Sequence, residues 1–209
     1  KSLLTSNGYA EDYLEPQFAC DKCCDTGYVE LDNKTVTCDC YKKLLSATAC
    51  EELNKVSPLS LSTFDSFNLD LYSDTPDQNG NVPYKRMNKI YSFCLDYAKS
   101  FTPSSKGILM KGPTGLGKTH LSLAIAGKAV ETGYGAIYMT AQNLFNRLER
   151  EKFGRADSFE TEDILIGADL LILDDLGAEF STPFIISAIY NIINSRIARG
   201  VPTIISSNL

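Results

Sequence analysis

The 209-residue chain lacks any run of 18 consecutive apolar residues, so no stretch offers the length of apolar helix that crosses a bilayer. It also lacks an excess of positive charge: 20 basic against 26 acidic residues give a net charge of −6. A protein that coats itself in nucleic acid is usually basic overall, so any contact with DNA has to be local or has to use parts beyond this chain. No signal-peptide pattern, targeting tail, internal repeat or low-complexity tract is present. There is no initiator Met. The chain opens at Lys1 and closes at Leu209 just after a strand-like run, and it reads as a piece of a longer protein. What remains, 44% hydrophobic and 22% charged, is an ordinary globular balance, and the length fits one domain plus a small accessory module.

Residues 112–119 read Gly112-Pro113-Thr114-Gly115-Leu116-Gly117-Lys118-Thr119, a complete G-x-x-x-x-G-K-[ST] phosphate-binding loop. A strand-like run, 107–111, precedes it and a helix-like run from His120 to Glu131 follows, which is the context the motif requires. The glycines let the backbone wrap closely, so that successive N–H groups point at phosphate oxygens at the positive end of a helix. Lys118 is then expected to reach the β- and γ-phosphates and the Thr119 hydroxyl to hold Mg²⁺. The bland alternative is a glycine-rich turn with no ligand. His120, the only histidine, reads as a helix residue facing a neighbouring element, with no catalytic role.

Two regions differ in texture. Residues 1–56 hold six of the seven cysteines, and residues 57–83 are irregular, with Pro58, Pro76, Pro83 and a turn-rich stretch at 77–81, and read as a linker. Residues 84–209 read as the main core. A helix over Tyr84–Phe101 precedes the phosphate loop. After it come a strand over Ala136–Thr140 and a helix over Ala141–Phe153, with Leu144, Phe145 and Leu148 at helical spacing. The continuous apolar run Asp169–Asp174 suits a strand buried on both faces. A helix with Thr182 as N-cap and Pro183 in its first turn runs to Arg199, is closed by Gly200, and is followed by a strand at Thr203–Ser206. Strands alternating with helices predict an α/β fold with a parallel sheet flanked by helices.

Asp174 and Asp175 end the doubly buried strand, and such strands deliver their carboxylates at the edge where α/β sheets bind ligands. Asp174 is the expected Mg²⁺ carboxylate and Asp175 the one that orients an attacking water, although an acid pair there also serves to cap a loop. Asn208, at the end of the last strand, is placed to hold that water or the γ-phosphate; asparagine is equally a turn residue. Glu179 reads as a loop residue or as sharing the base role.

Cys20-x₂-Cys23 and Cys38-x-Cys40 form two close pairs, 14 residues apart, around a hairpin-like 28–37. Four soft thiolates suit tetrahedral Zn²⁺, and so small a module needs a metal staple to fold. Cys24 is an alternative to Cys23, a disulfide pair or free thiols are alternatives to the metal, and Cys50 and Cys94 read as helix or core residues. Arg147, Arg150, Lys152 and Arg155, interleaved with Phe145 and Phe153, make either a single-strand contact or a solvated helix face, which Glu149 and Glu151 favour.

Gly112–Leu121, Leu173–Glu179 and Pro202–Leu209, in this order and behind a Cys-rich module, resemble bacterial replicative-helicase loaders of the DnaC/DnaI type. These are AAA+ ATPases of the clade of the initiator DnaA, with IstB-like ATP-binding relatives. The resemblance implies ATP, Mg²⁺ and Zn²⁺ as cofactors, ATP on residues 112–119, Asp174 on Mg²⁺, Asp175 polarising water and Asn208 as sensor 1. It implies a cytoplasmic protein, without membrane contact, whose zinc module grips a hexameric replicative helicase. Its AAA+ domain would bind single-stranded DNA, with the helix around Asn143–Phe153 turned towards it, and would self-associate through the ATP interface, with the initiator protein as a further partner. Two departures bear on turnover. Asp stands at 175 where many AAA+ enzymes have Glu, and the lid, arginine finger and sensor 2 of the family lie beyond Leu209, so hydrolysis by this C-terminally truncated core is expected to be weak. The related IstB-type transposon ATPase, which partners a transposase, is the alternative. A small-molecule kinase and a nucleotide-gated adaptor are the readings from other classes.

Overall fold

A computed structural model describes residues 2–10, 13–14, 16–31, 34–41, 44, 62–152, 161–177 and 182–208. Cys50, Phe153, Arg155, Glu179 and Leu209 lie outside the described residues. The chain divides into two units, Lys1–Leu45 and Ser46–Leu209. Among the described residues no helix is long and apolar enough to cross a membrane.

The first unit holds a short helix, α1 (Ser2–Ser6), and an antiparallel hairpin of β1 (Tyr28–Leu31) and β2 (Lys34–Thr37). The few buried side chains of this unit include Cys23 and Cys38, which sit at the root of the hairpin. Cys38 donates its amide to the Gly27 carbonyl (2.8 Å), which ties the second cysteine pair to the loop that carries the first.

The second unit is an α/β layer structure. Its elements are α2 (Pro83–Lys99), β3 (Ile108–Lys111), α3 (Lys118–Glu131), β4 (Ala136–Thr140), α4 (Ala141–Lys152), α5 (Thr161–Gly167), β5 (Leu170–Asp174), α6 (Pro183–Arg199) and β6 (Thr203–Ser207). The four strands form one parallel sheet in the order β3-β6-β5-β4. β5 is buried at every position, as its unbroken apolar run requires, whereas β3 alternates and leaves Leu109 exposed. One face of the sheet packs on α2 and α3 through Leu121, Ile125, Met87 and Cys94; the other packs on α4, α5 and α6 through Leu144, Leu165 and Ile192. Residues 62–72, within the stretch read as a linker, pack Phe64, Phe67, Leu69 and Tyr72 against the first of these clusters.

The helix signals act as their chemistry demands, with one exception. Gly200 closes α6 in the left-handed region (φ 69°) and Pro183 opens it, but Thr182 occupies the cap position without a side-chain capping bond. The seven-residue α5 went unseen in the sequence, where the acidic and apolar residues of 161–167 carry no full helical period.

Arg196 locks the layer of α5 and α6 to the sheet. Its guanidinium is fully buried, yet it donates to the carbonyls of Leu165 (2.7 Å), Ala168 (2.8 Å) and Pro202 (2.6 Å) and to Thr203 Oγ1 (2.9 Å). The carbonyls of Leu165 and Ala168 lie at and just past the end of α5, where the helix's own bonds run out, and the Pro202 carbonyl also accepts the Leu171 amide (3.4 Å). Burial pushes the guanidinium down to about 10, still charged at neutral pH. Replacing Arg196 with Leu is therefore expected to cost about 3 kcal/mol or more, because several buried acceptors lose their donor at once. Urea unfolding is expected to show a lower midpoint with an unchanged slope.

Candidate nucleotide-binding site

The sheet order places the C-terminal ends of β3, β6 and β5 side by side, so Lys111, Ser207 and Asp174 finish at one edge. Open parallel sheets bind ligands in the crevice outside that edge. The phosphate loop leaves β3 there and turns into α3, whose first helical residue is Lys118. Gly117 takes a left-handed φ of 79° at the helix entry, and a Cβ on it would lie 2.7 Å from the Phe67 ring and 3.0 Å from the Tyr72 hydroxyl. The residue is small for two reasons: backbone handedness, and an aromatic strap laid over the loop. The strap is ordered by its own contacts. Phe67 stacks on Tyr91 and Tyr72, at centroid distances of 5.6 and 6.0 Å, and Tyr72 Oη donates to the Leu116 carbonyl (3.3 Å). His120 faces this strap, as its position behind the loop predicted. Its Nε2 donates to the Thr63 carbonyl (2.8 Å), and its ring meets Phe67 edge-on at 5.2 Å.

Lys118 lies across the loop. Its Nζ donates to the carbonyls of Gly112 (2.7 Å) and Pro113 (2.9 Å) and to Asn208 Oδ1 (2.7 Å). The Asn208 amide nitrogen in turn donates to Asp175 Oδ1 (2.7 Å), so Lys118, Asn208 and Asp175 form one hydrogen-bonded line across the crevice. Asp175 itself sits in the left-handed region (φ 59°), a conformation that asparagine and aspartate tolerate better than most side chains.

Asp174 is 3% exposed and is a hub for hydroxyls. Its Oδ2 accepts from Thr119 Oγ1 (2.8 Å) and from Tyr138 Oη (2.8 Å), and its Oδ1 accepts from Ser206 Oγ. Burial first, and the Asp174 carboxylate second, push the Tyr138 phenol well above its ordinary value, so it stays a donor. Hard oxygens from Thr119 and Asp174 at hydrogen-bond distance make a donor pair suited to Mg²⁺. Beside the loop a pocket of about 460 Å³ is lined by Tyr72, Pro83, Met87, Leu116 and Lys118 among others. Residues 112–119, Asp174, Asp175 and Asn208 thus stand at one sheet edge, while Glu179 lies outside the described residues. Tyr138, Ser206, Phe67 and Tyr72 did not stand out in the sequence, where they read as strand and linker residues.

In the first unit the Sγ atoms of Cys20, Cys23, Cys38 and Cys40 all lie within 4.8 Å of one another, with Cys20–Cys38 at 3.9 Å and Cys23–Cys40 at 3.3 Å. Cys24 is exposed, and its thiol faces the Asp21 carbonyl (4.0 Å) rather than the cluster. The Asp25 carboxylate accepts the amides of Ala19 and Cys20 (3.0 and 2.9 Å), which fixes the knuckle that presents the first pair. The Cys23 amide, helped by the neighbouring thiols, holds Cys20 down to about 7, while the Cys23 thiol and burial push Cys40 up.

A phosphate loop at the carboxyl edge of a parallel sheet, facing an acid pair at the end of the inner strand β5, defines a P-loop nucleotide-binding α/β protein. Over residues 89–209, more than half of its length, the chain matches the family described as IstB-like ATP binding protein, and it belongs to that family. It is 31% identical over 110 residues to the insertion sequence IS5376 putative ATP-binding protein of Geobacillus stearothermophilus, an alignment covering 52% of this chain and 43% of that protein. The chain thus spans less than half the length of this curated relative. The DnaC helicase loader crystal structure is similar with a TM-score of 0.55 and 27% identity, over 70% of this chain and 78% of that one. The DnaI crystal structure gives 0.55 and 23%, over 76% and 75%, a likeness of fold. The α/β sheet with flanking helices is that of AAA+ P-loop proteins, as the motifs led one to expect, and the family is the IstB type.

The crowding at Gly117 makes a direct test. Gly117→Ala combines a strained φ with a Cβ inside the Phe67 ring contact, and is expected to cost about 1–3 kcal/mol. A lowered urea midpoint, with loss of the strap's protection in hydrogen exchange, is the expected result.

Proposed function

We propose that the chain is the Mg·ATP switch of a DNA-acting protein that hydrolyses ATP and works through a partner machine. The observation that carries this reading is the convergence at one sheet edge of Lys118, Thr119, Asp174, Asp175 and Asn208, joined by short hydrogen bonds. Backbone N–H groups of 112–119 take the phosphates, Lys118 meets the β- and γ-phosphates, and the pocket beside Tyr72 and Leu116 takes the nucleoside. Bound Mg²⁺, held by Thr119 and Asp174, neutralises charge on the phosphates. Asp175 orients the attacking water, and Asn208, already bonded to both Asp175 and Lys118, links the γ-phosphate position to that carboxylate. Replacing Asp175 with Asn in the whole protein is expected to leave ATP affinity within about twofold and to lower DNA-stimulated hydrolysis by about 10²-fold or more. Unchanged turnover would remove Asp175 from this role.

We further propose Zn²⁺ on Cys20, Cys23, Cys38 and Cys40. Tetrahedral Zn–S bonds of about 2.3 Å put sulfurs about 3.8 Å apart, close to the 3.3 and 3.9 Å of the Cys23–Cys40 and Cys20–Cys38 pairs in a cluster whose sulfurs all lie within 4.8 Å of one another. Metal analysis of the purified chain is expected to find about one zinc per chain, lost in Cys20→Ser and Cys38→Ser, with chelation unfolding the hairpin unit.

The partner reading favoured here is the hexameric replicative helicase, loaded onto single-stranded DNA. The likeness to the DnaC helicase loader over most of both chains and the Cys-rich first unit support it. The second reading, a transposon ATPase partnering a transposase, is favoured by the family and by the insertion-sequence relative. Exposed Arg150 on α4 is available to a DNA backbone, whereas Arg147 is engaged with Thr161 and Glu151. Native mass spectrometry of the chain with the host helicase, with and without chelator, separates the two. A chelator-sensitive complex supports the loader, and a complex only with a transposase supports the alternative.

A further inference from the structure

Three hydroxyls hold the Asp174 carboxylate, and they are not equivalent. Thr119 belongs to the phosphate loop and has an expected task towards Mg²⁺, so its bond to Asp174 is one that nucleotide exchanges. Tyr138 and Ser206 come from the strands on either side of β5, and neither belongs to the loop or to the acid pair. Tyr138 is 7% exposed, with its ring packed in the core and its Oη 2.8 Å from Asp174 Oδ2. Ser206 is fully buried; the pairing of Leu173 with Ile205 sets it beside Asp174. Its hydroxyl does two things: it donates to Asp174 Oδ1 and accepts the amide of Asp175 (2.9 Å). Its carbonyl accepts the amide of Leu176 (2.9 Å). One serine therefore sets the carboxylate of Asp174 and the left-handed backbone of Asp175.

We propose that Tyr138 and Ser206 are positioning residues for the Mg·nucleotide complex, clamping Asp174 from both neighbouring strands so that its Thr119 side is presented to the metal. The inference rests on the nucleotide reading above. A carboxylate that binds a metal is aimed by its outer hydrogen-bond partners, and loss of such a partner weakens metal binding rather than ligand binding in general. A residue that merely filled space would lower binding alike with and without the metal.

The test is titration of a fluorescent ATP analogue into the wild-type chain, Tyr138→Phe, Ser206→Ala and Ser206→Thr. Each titration is run in excess Mg²⁺ and in excess EDTA, with thermal melts to establish folding. The wild type is expected to bind in both buffers and more tightly with Mg²⁺. Tyr138→Phe, which keeps the packed ring, and Ser206→Ala are expected to keep the EDTA affinity and to lose about tenfold in Mg²⁺. Ser206→Thr, which retains the hydroxyl, is expected to restore most of that loss. Equal losses in both buffers, or no loss in either, overturn the proposal. A wild type that binds in neither buffer overturns the nucleotide reading itself and the positioning role with it. A wild type that binds without any gain from Mg²⁺ overturns the role of Asp174 towards the metal.

Discussion

The carboxylate of Asp174 has to be buried, because it ends an inner strand of a sheet covered by helices on both faces, and a buried carboxylate without donors costs several kcal/mol. The fold meets that demand with one hydroxyl each from α3, β4 and β6. Four elements are thereby registered on a single charge. The parallel order β3-β6-β5-β4 makes this possible, since it brings the strand after the phosphate loop and the strand before Asn208 to the same edge as β5. The loop, the acid pair and the asparagine after β6 are far apart in sequence, with Lys118 and Asn208 separated by 90 positions, yet they are joined by hydrogen bonds. The demand of one buried charge and the geometry of the site are the same constraint.

How much of this was legible depended on how local the signal was. The phosphate loop, the apolar strand ending in Asp174-Asp175 and the cysteine pairs are each contained in a few residues, and each carries its own chemistry. Strand and helix order, the short α1 and α5 apart, followed from alternation, with bounds displaced by a residue or two where ends fray. Tyr138 and Ser206 were invisible because a hydroxyl on a buried strand looks the same whether it meets a carboxylate or a backbone carbonyl; only the pairing of β4 and β6 with β5 gives it a target. Phe67 and Tyr72 were hidden for a related reason. They sit among turn residues, so their aromatic surface read as linker, although it is long-range contact with the loop helix that orders it. Arg196 belongs to the same class: nothing in the sequence of α6 marks it, and its acceptors come from two other segments, 165–168 and 202–203.

The first unit follows a different economy. Its hairpin pairs four residues per strand and leaves Tyr28, Leu31 and Val36 exposed, so apolar burial holds little of it together. Cohesion is concentrated where Asp25, Gly27 and Cys38 tie the two cysteine pairs to each other. Four thiols at such separations cannot all lose their protons unless a cation offsets the charge. The opposed shifts of Cys20 and Cys40 express that frustration: one thiol is drawn towards thiolate and another is driven to keep its proton. On the proposed reading a divalent metal would remove the conflict by taking all four as ligands, and its affinity would then be part of the folding free energy of so small a module.

Nucleotide binding, on the proposed reading, has to exchange bonds that the loop has already made. Lys118 Nζ already has three oxygen partners, two loop carbonyls and the Asn208 amide. A phosphate that recruits this ammonium therefore replaces three dipolar acceptors with anionic oxygens, and only the difference contributes to affinity. That difference grows with the charge of the ligand, so the arrangement favours a polyphosphate over a monophosphate. On the proposed reading the exchange would release Asn208 from Lys118, while its amide nitrogen, which donates to Asp175 Oδ1 (2.7 Å), would have no need to move. An amide held at one end by Asp175 and freed at the other by a γ-phosphate would then be a mechanical link between occupancy of the loop and the aim of that carboxylate.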